Sequence, residues 1–271
     1  MYTKEYSAED KEEMRQAIKL SDTYLKVSEI FATIQGEGAN TGIPSIFIRL
    51  QFCNLTCNWC DTPFTWDWEG THTKRSVKDY EQVKYDPRKE IIEMTPEDIL
   101  NKVKELAKYN IKHIILTGGE PLLQQKSKAF LKMLEYLIAN HFKIEIETNG
   151  TLIPLPEVDE CIFKYNVAPK LANSKCKLSN RRRDKAYNFF TSKINASFKF
   201  VVCDESDLQE IKFLQDRYKI SPDKILLMPE GKTEDETKIR AQTIVGLCIN
   251  NGYRFCNRLQ VWIWDGAVRG V

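Results

Sequence analysis

Three cysteines within eight residues, Cys53, Cys57 and Cys60, follow directly on a run that reads as a strand, and nothing else in the chain limits its fold so strongly. A short loop leaving a strand end can wrap three thiols around one metal centre. Structural zinc sites normally close with four ligands, and beyond the triplet only His72 lies near, across a spacer that suits the usual zinc patterns poorly. A 4Fe-4S cluster held by three thiolates instead leaves one iron open to a ligand. Spacing alone therefore allows either an iron–sulfur centre or a zinc-stabilised binding module without catalysis.

Redox compartment bears on that choice. The start of the chain, Met1 to Gln16, is rich in Glu, Lys and Asp and lacks the apolar stretch of a signal peptide. No apolar run approaches membrane-spanning length. These features predict a cytoplasmic protein, in which eight cysteines serve metal binding or packing rather than a disulfide framework. Lys plus Arg number 40 against 38 Asp plus Glu, a net charge of +2. That balance gives no long-range field of the kind that marks nucleic-acid or membrane-surface binders, so neither partner is expected.

The surrounding pattern alternates strands and helices. Lys26 to Thr33 and Ser45 to Gln51 read as strands, followed by a turn-rich loop from Phe52 to Trp68. Glu69 to Glu93 reads as a polar insertion with little core. Thr95 caps a helix that Pro96, Glu97 and Asp98 open and that runs to about Tyr109. Ile114 to Leu116 is a buried strand ending at Thr117-Gly118-Gly119-Glu120-Pro121, and a helix follows with Phe130, Leu131, Leu134, Leu137 and Ile138 on one face. Further strands are expected at 143–147, 161–167, 198–202 and 225–228, with helices at 206–218 and 233–250. Leu259 to Trp264 is expected as a last strand, and Asn180 to Lys185, with its three arginines, as a solvated loop. This alternation predicts an α/β fold with a mostly parallel sheet, an incomplete βα barrel because the units are too few to close. The domain boundaries follow: residues 1–24 form an extension, and 25–271 form one core with insertions near 69–93 and 172–196.

A C-x3-C-x2-C loop after the first barrel strand, with Trp59 before the third cysteine, resembles the signature of the radical S-adenosylmethionine (SAM) superfamily. Gly118-Gly119-Glu120-Pro121 is similar to that superfamily's G-G-E-P segment, and Glu147-Thr148-Asn149-Gly150 to an E-T-N-G segment of its activating-enzyme and deazapurine branch. Alone, each also reads as an ordinary turn. Ile34-Gln35-Gly36-Glu37-Gly38, Arg49 and Cys60-Asp61-Thr62 narrow the resemblance to the 7-carboxy-7-deazaguanine synthase family of queuosine biosynthesis.

That resemblance implies a 4Fe-4S cluster, SAM and Mg2+, and a reaction on 6-carboxy-5,6,7,8-tetrahydropterin. A deoxyadenosyl radical takes the hydrogen at C6, the ring contracts and ammonia leaves. Carried over by position, Cys53, Cys57 and Cys60 hold the cluster and Thr62 meets Mg2+. Ile34, Gln35, Gly36, Glu37, Arg49 and Thr117 fall to the substrate. Gly119, Glu120, Thr148, Ala168, Pro169, Lys170, Met228, Pro229 and Glu230 fall to SAM, the last six at two strand ends where ligands gather in parallel βα folds. Gln260 stands where the family pattern leads one to look for a histidine. The resemblance also implies an electron donor such as flavodoxin or ferredoxin, and a homodimer. The remaining cysteines, Cys161, Cys176, Cys203, Cys248 and Cys256, read as packing residues. A radical-activating enzyme, which installs a glycyl radical on a partner protein, shares the cysteine spacing and stays open as an alternative.

Overall fold

Successive side chains point to opposite faces along the central strands, and that period of two decides the architecture. The computed structural model describes residues 7–68, 85–264 and 269–270. Strand β1 (Leu25–Ile34) pairs antiparallel with β2 (Pro44–Leu50), and β3 (Ile92–Met94) pairs antiparallel with the other side of β1. From β2 onward every neighbour is parallel: β4 (His113–Gly118), β5 (Lys143–Thr148), β6 (Lys164–Val167), β7 (Ala196–Val202), β8 (Ile225–Pro229) and β9 (Arg254–Phe255). The nine strands run in the order β3-β1-β2-β4-β5-β6-β7-β8-β9, an open sheet of the incomplete-barrel kind the alternation predicts.

Ile46, Ile48, Leu50, Ile114, Leu116, Ile144, Ile146, Phe198 and Phe200 point outward into the main core beneath the helices. Their alternating neighbours, Arg49, Thr117, Glu147 and Lys199, face the opposite, concave side and line a cavity there. A parallel sheet with both faces buried ordinarily reads as an unbroken apolar run. Here one face carries polar and charged residues among apolar ones and lines the cavity.

Helices cover the outer face. α1 (Ala8–Ala17) belongs to the N-terminal extension and is tied down where Arg88 of α2 (Pro87–Glu90) bonds Asp10 and Glu13. α3 (Pro96–Leu106) starts at the expected Thr95 cap, where Thr95 and Asp98 form a reciprocal capping box. α4 (Lys128–Ala139) buries Phe130, Met133, Leu134 and Leu137, whereas Ile138, expected on that face, is exposed and Met133 takes the inward position. α5 (Pro156–Asp159), α6 (Leu178–Arg181), α7 (Asp184–Ser192), α8 (Asp207–Tyr218), α9 (Glu234–Asn251) and α10 (Leu259–Trp264) complete the set.

Two expectations are corrected here. Leu259–Trp264 is helix, not strand: a six-residue apolar run carries no decisive period, only Val261 is buried, and Trp262 and Ile263 lie exposed, as no central strand would leave them. Cys161 lies in a turn, and β6 starts only at Lys164, because Pro156 opens the short helix α5 and the chain must reverse after it. Residues 69–84 of the first expected insertion lie outside the described residues, but Ile92–Met94 is a paired strand. Residues 172–196, expected as an insertion, include α7, whose Tyr187 and Phe190 are core residues, and Phe190 meets Tyr165 of β6 edge to face at 5.3 Å.

The arginine-rich loop is likewise built in. Arg181 is 7% exposed, donates to Lys170 O at 2.9 Å and pairs with Glu210 of α8, which Arg182 also meets at 2.9 Å. Arg181→Ala is therefore expected to cost roughly 1–3 kcal/mol, read as a lower urea midpoint, whereas Lys185→Ala on the exposed side should leave the midpoint unchanged.

Candidate active site

The cysteine loop leaves β2 and is clamped against the end of β4 by backbone contact. Glu120 N donates to Phe52 O at 2.7 Å and Gly119 N to Leu50 O at 3.3 Å. No side chain fits between them: a Cβ on Gly118, whose φ is +142°, would lie 2.1 Å from Leu50 O, and one on Gly119 would lie 2.1 Å from Phe52 O. The paired glycines thus serve close approach to the cluster loop itself. Phe52 adopts φ +79° to turn the chain into Cys53, and its N–H reaches Thr65 O at 2.8 Å.

Around the three sulfurs the environment suits an iron–sulfur cluster. Leu55 N donates to Cys53 Sγ at 3.4 Å and Trp66 Nε1 donates to Cys60 Sγ at 3.4 Å, so N–H donors aim at ligand sulfurs. Burial pushes the metal-free Cys53 thiol up to about 12 and raises Cys60 as well. Loading the cluster must therefore release protons. Thr62 Oγ1 lies 3.8 Å from Cys60 Sγ, beside the same cavity.

Glu120 is fully buried and turned away from the cavity. Thr148 Oγ1 donates to it at 2.9 Å, Asn149 N at 2.7 Å and Leu122 N at 3.1 Å, while burial pushes its carboxyl up to about 7 against those donors. Its function in the fold is to join the G-G-E-P and E-T-N-G segments. Pro169 is buried outside the cavity lining too. Every other expected site residue lines the one cavity: Ile34, Gln35, Gly36, Glu37, Arg49, Cys53, Cys57, Cys60, Thr62, Thr117, Gly119, Thr148, Ala168, Lys170, Met228, Pro229 and Glu230.

The far side of the cavity is a buried charge network that motif reading missed in part. Glu37 binds Lys199 of β7, Arg258 at 3.1 Å and Gln260 Nε2 at 2.5 Å. Against the penalty of burial, Lys199 and Arg258 hold the Glu37 carboxyl well below the usual carboxylate range. Arg258 also reaches Asp61 and Gly231 O, tying the cysteine loop to the C-terminal segment. Glu147 accepts from Thr117 Oγ1 at 2.9 Å and Gln35 Nε2 at 3.2 Å. Arg49 gives its Nε to Glu29 at 2.7 Å, and its two Nη groups have no protein partner among the described residues. Lys199 and Arg258 belong to no short motif. The polar break in the strand Phe198-Lys199-Phe200 is the one signal that could have found the first of them.

An open, mostly parallel sheet with a three-cysteine loop at the carboxyl end of its first parallel strand and a cavity on its concave face defines a radical SAM enzyme, and the superfamily pattern matches residues 47–177. Its cofactors are those of that superfamily, a 4Fe-4S cluster and SAM. More narrowly, the chain belongs to the 7-carboxy-7-deazaguanine synthase family. It is 32% identical over 243 residues to the 7-carboxy-7-deazaguanine synthase of Pyrobaculum aerophilum, covering 90% of this chain and 96% of that protein. It is 32% identical over 264 residues to the enzyme of the same name from Halobacterium salinarum, covering 90% and 91%. The crystal structure of QueE from Escherichia coli superposes with a TM-score of 0.60 at 27% identity, over 93% of this chain and 99% of that one.

The clamp is testable. Gly119→Ala must displace Phe52 or Cys53, so anaerobically reconstituted protein is expected to hold well under half the wild-type iron while keeping its far-ultraviolet circular dichroism. Unaltered iron content would contradict the clamp.

Proposed function

We propose that the chain converts 6-carboxy-5,6,7,8-tetrahydropterin into 7-carboxy-7-deazaguanine with loss of ammonia, with Cys53, Cys57 and Cys60 as the cluster ligands. The observation that carries this reading is one cavity bordered by three thiols on a single loop and, opposite them, by buried ionic and amide groups suited to a carboxylated pterin. When bound, the reduced cluster and SAM supply a carbon radical that takes one hydrogen atom from the substrate.

The chain's own residues bind and orient. Arg49 offers its free Nη pair to the substrate carboxylate, since a guanidinium fork matches a carboxylate bidentately. Gln35, Glu147 and Thr117 form a connected row of donors and acceptors for the pterin edge, with Ile34 and Gly36 as its border. Glu37, spoken for by Lys199, Arg258 and Gln260, holds that border in place. Gln260, in place of the histidine of the family pattern, contributes through its bond to Glu37. Gly119, Thr148, Ala168, Lys170, Met228, Pro229 and Glu230 lie on the SAM side, with Glu120 and Pro169 supporting them from behind. Thr62 meets Mg2+. One neutral hydroxyl holds that ion only together with water and substrate oxygens, so its binding depends on substrate.

Residues 25–271 form one core behind the extension 1–24, a reading supported by the single sheet. The electron comes from a low-potential donor such as flavodoxin or ferredoxin, as the family resemblance implies. A homodimer is supported by the exposed apolar residues Ile249, Phe255 and Trp262 on the last three elements, beside an open sheet edge. A cytoplasmic location is supported by eight cysteines with no disulfide among them. No helix among the described residues is long and apolar enough to cross a membrane.

Incubation of the reduced enzyme with SAM, Mg2+ and the carboxytetrahydropterin is expected to yield 7-carboxy-7-deazaguanine by mass spectrometry. Deoxyadenosine accumulating without that product would favour a radical-activating enzyme instead. In the same assay Arg49→Lys should raise KM about tenfold, roughly 1.4 kcal/mol of lost binding, with the cluster spectrum unaltered. Thr62→Ala should weaken Mg2+ activation and leave the spectrum intact.

A further inference from the structure

Cys176 has a neighbour that its place in the sequence conceals. It lies between β6 and α6, yet its Sγ is 3.7 Å from Cys57 Sγ. Both are buried, packed with Leu55 and flanked by Cys53, Trp59 and Cys60. The segment that carries Cys176 is fastened to the cysteine loop on either side: Asn58 N donates to Ser174 O at 2.9 Å, and Trp59 Nε1 donates to Asn173 Oδ1 at 3.2 Å. Asn173 in turn donates to Val201 O at 2.9 Å and Asp207 Oδ2 at 2.8 Å, anchoring the segment to the sheet and α8. Lys175, at φ +60°, reverses the chain just before Cys176.

We propose that Cys176 is a positioning residue for the cluster: its S–H donates a hydrogen bond to the Sγ of Cys57 and raises the cluster's reduction potential. The inference rests on the reading of Cys57 as an iron ligand. A coordinating thiol is deprotonated outright, so a metal-bound Cys57 brings lone pairs and no proton, and the 3.7 Å contact sets Cys176 Sγ as the donor. The other two ligands each receive one N–H donor, from Leu55 to Cys53 and from Trp66 to Cys60. Cys176 supplies the third ligand with its donor. A hydrogen bond to ligand sulfur favours the more negative, reduced cluster, and such bonds are among the levers that set iron–sulfur potentials.

The test is a redox titration of reconstituted holoenzyme followed by electron paramagnetic resonance, for wild type, Cys176→Ala and Cys176→Ser. Cys176→Ala is expected to carry the wild-type iron and sulfide content but to titrate at a more negative potential. The ratio of reduced to oxidised cluster at a fixed poise should fall severalfold, tenfold being about 59 mV for one electron. Cys176→Ser keeps a donor and should stay near wild type. If the alanine variant fails to load, Cys176→Val, which leaves no void and has no donor, carries the same expectation. Equal potentials in loaded wild type and donor-free variants would overturn this inference alone. A wild type that never takes up iron would overturn the cluster reading and this inference with it.

Discussion

The contact between two stretches of backbone governs this structure. Gly118 and Gly119 at the end of β4 press against Leu50 and Phe52 at the end of β2, with less room between them than one Cβ needs. Because the two strands are parallel neighbours, both of these ends lie on the same edge of the sheet. The clamp therefore fixes where the three thiols can be: above the concave face, at the carboxyl end of the strands, where loops from every later strand also arrive. Glu120 extends the clamp sideways by accepting from Thr148 and Asn149 at the end of β5. Three successive strand ends are thus held in one rigid edge before any cofactor is considered.

The concave face explains the sheet's odd chemistry. Burying Glu37, Glu147, Lys199 and Arg258 is costly unless each is paired and hydrogen-bonded, and each has such partners. Replacing such a network with apolar residues is often neutral or stabilising in a fold that needs only stability. Its presence on the inner face alone, while the outer face is uniformly aliphatic and aromatic, marks the concave side as a place where a polar molecule takes over part of the bonding. Arg49 displays the division within one side chain, with its Nε committed to Glu29 and no protein hydrogen bond at its Nη groups among the described residues.

Much of this was legible in the residues. The cysteine spacing, the G-G-E-P turn and the I-Q-G-E-G stretch are local patterns whose chemistry needs no tertiary context, and all but Glu120 and Pro169 of the expected site residues face one cavity. Strands β4, β5 and β8 were readable because apolar runs and period-two alternation are local too. What escaped depends on contacts distant along the chain. Cys176 meets Cys57 across 119 positions, and Arg258 meets Asp61 across 197, distances at which no spacing rule operates. Arg181 read as solvated because three adjacent arginines look like a loop, and only the position of Glu210 on α8 makes it a buried ion pair. Leu259–Trp264 read as a strand since a short apolar run does not distinguish the two states.

The central claim is that three thiolates from one loop hold an iron–sulfur cluster with one iron open to SAM. Its most direct test is electron paramagnetic resonance of the dithionite-reduced, anaerobically reconstituted protein with and without SAM. The account predicts a 4Fe-4S signal whose g values shift when SAM is added and which is absent from Cys57→Ala. A protein that stays colourless and iron-poor, or a cluster whose signal ignores SAM, would contradict it.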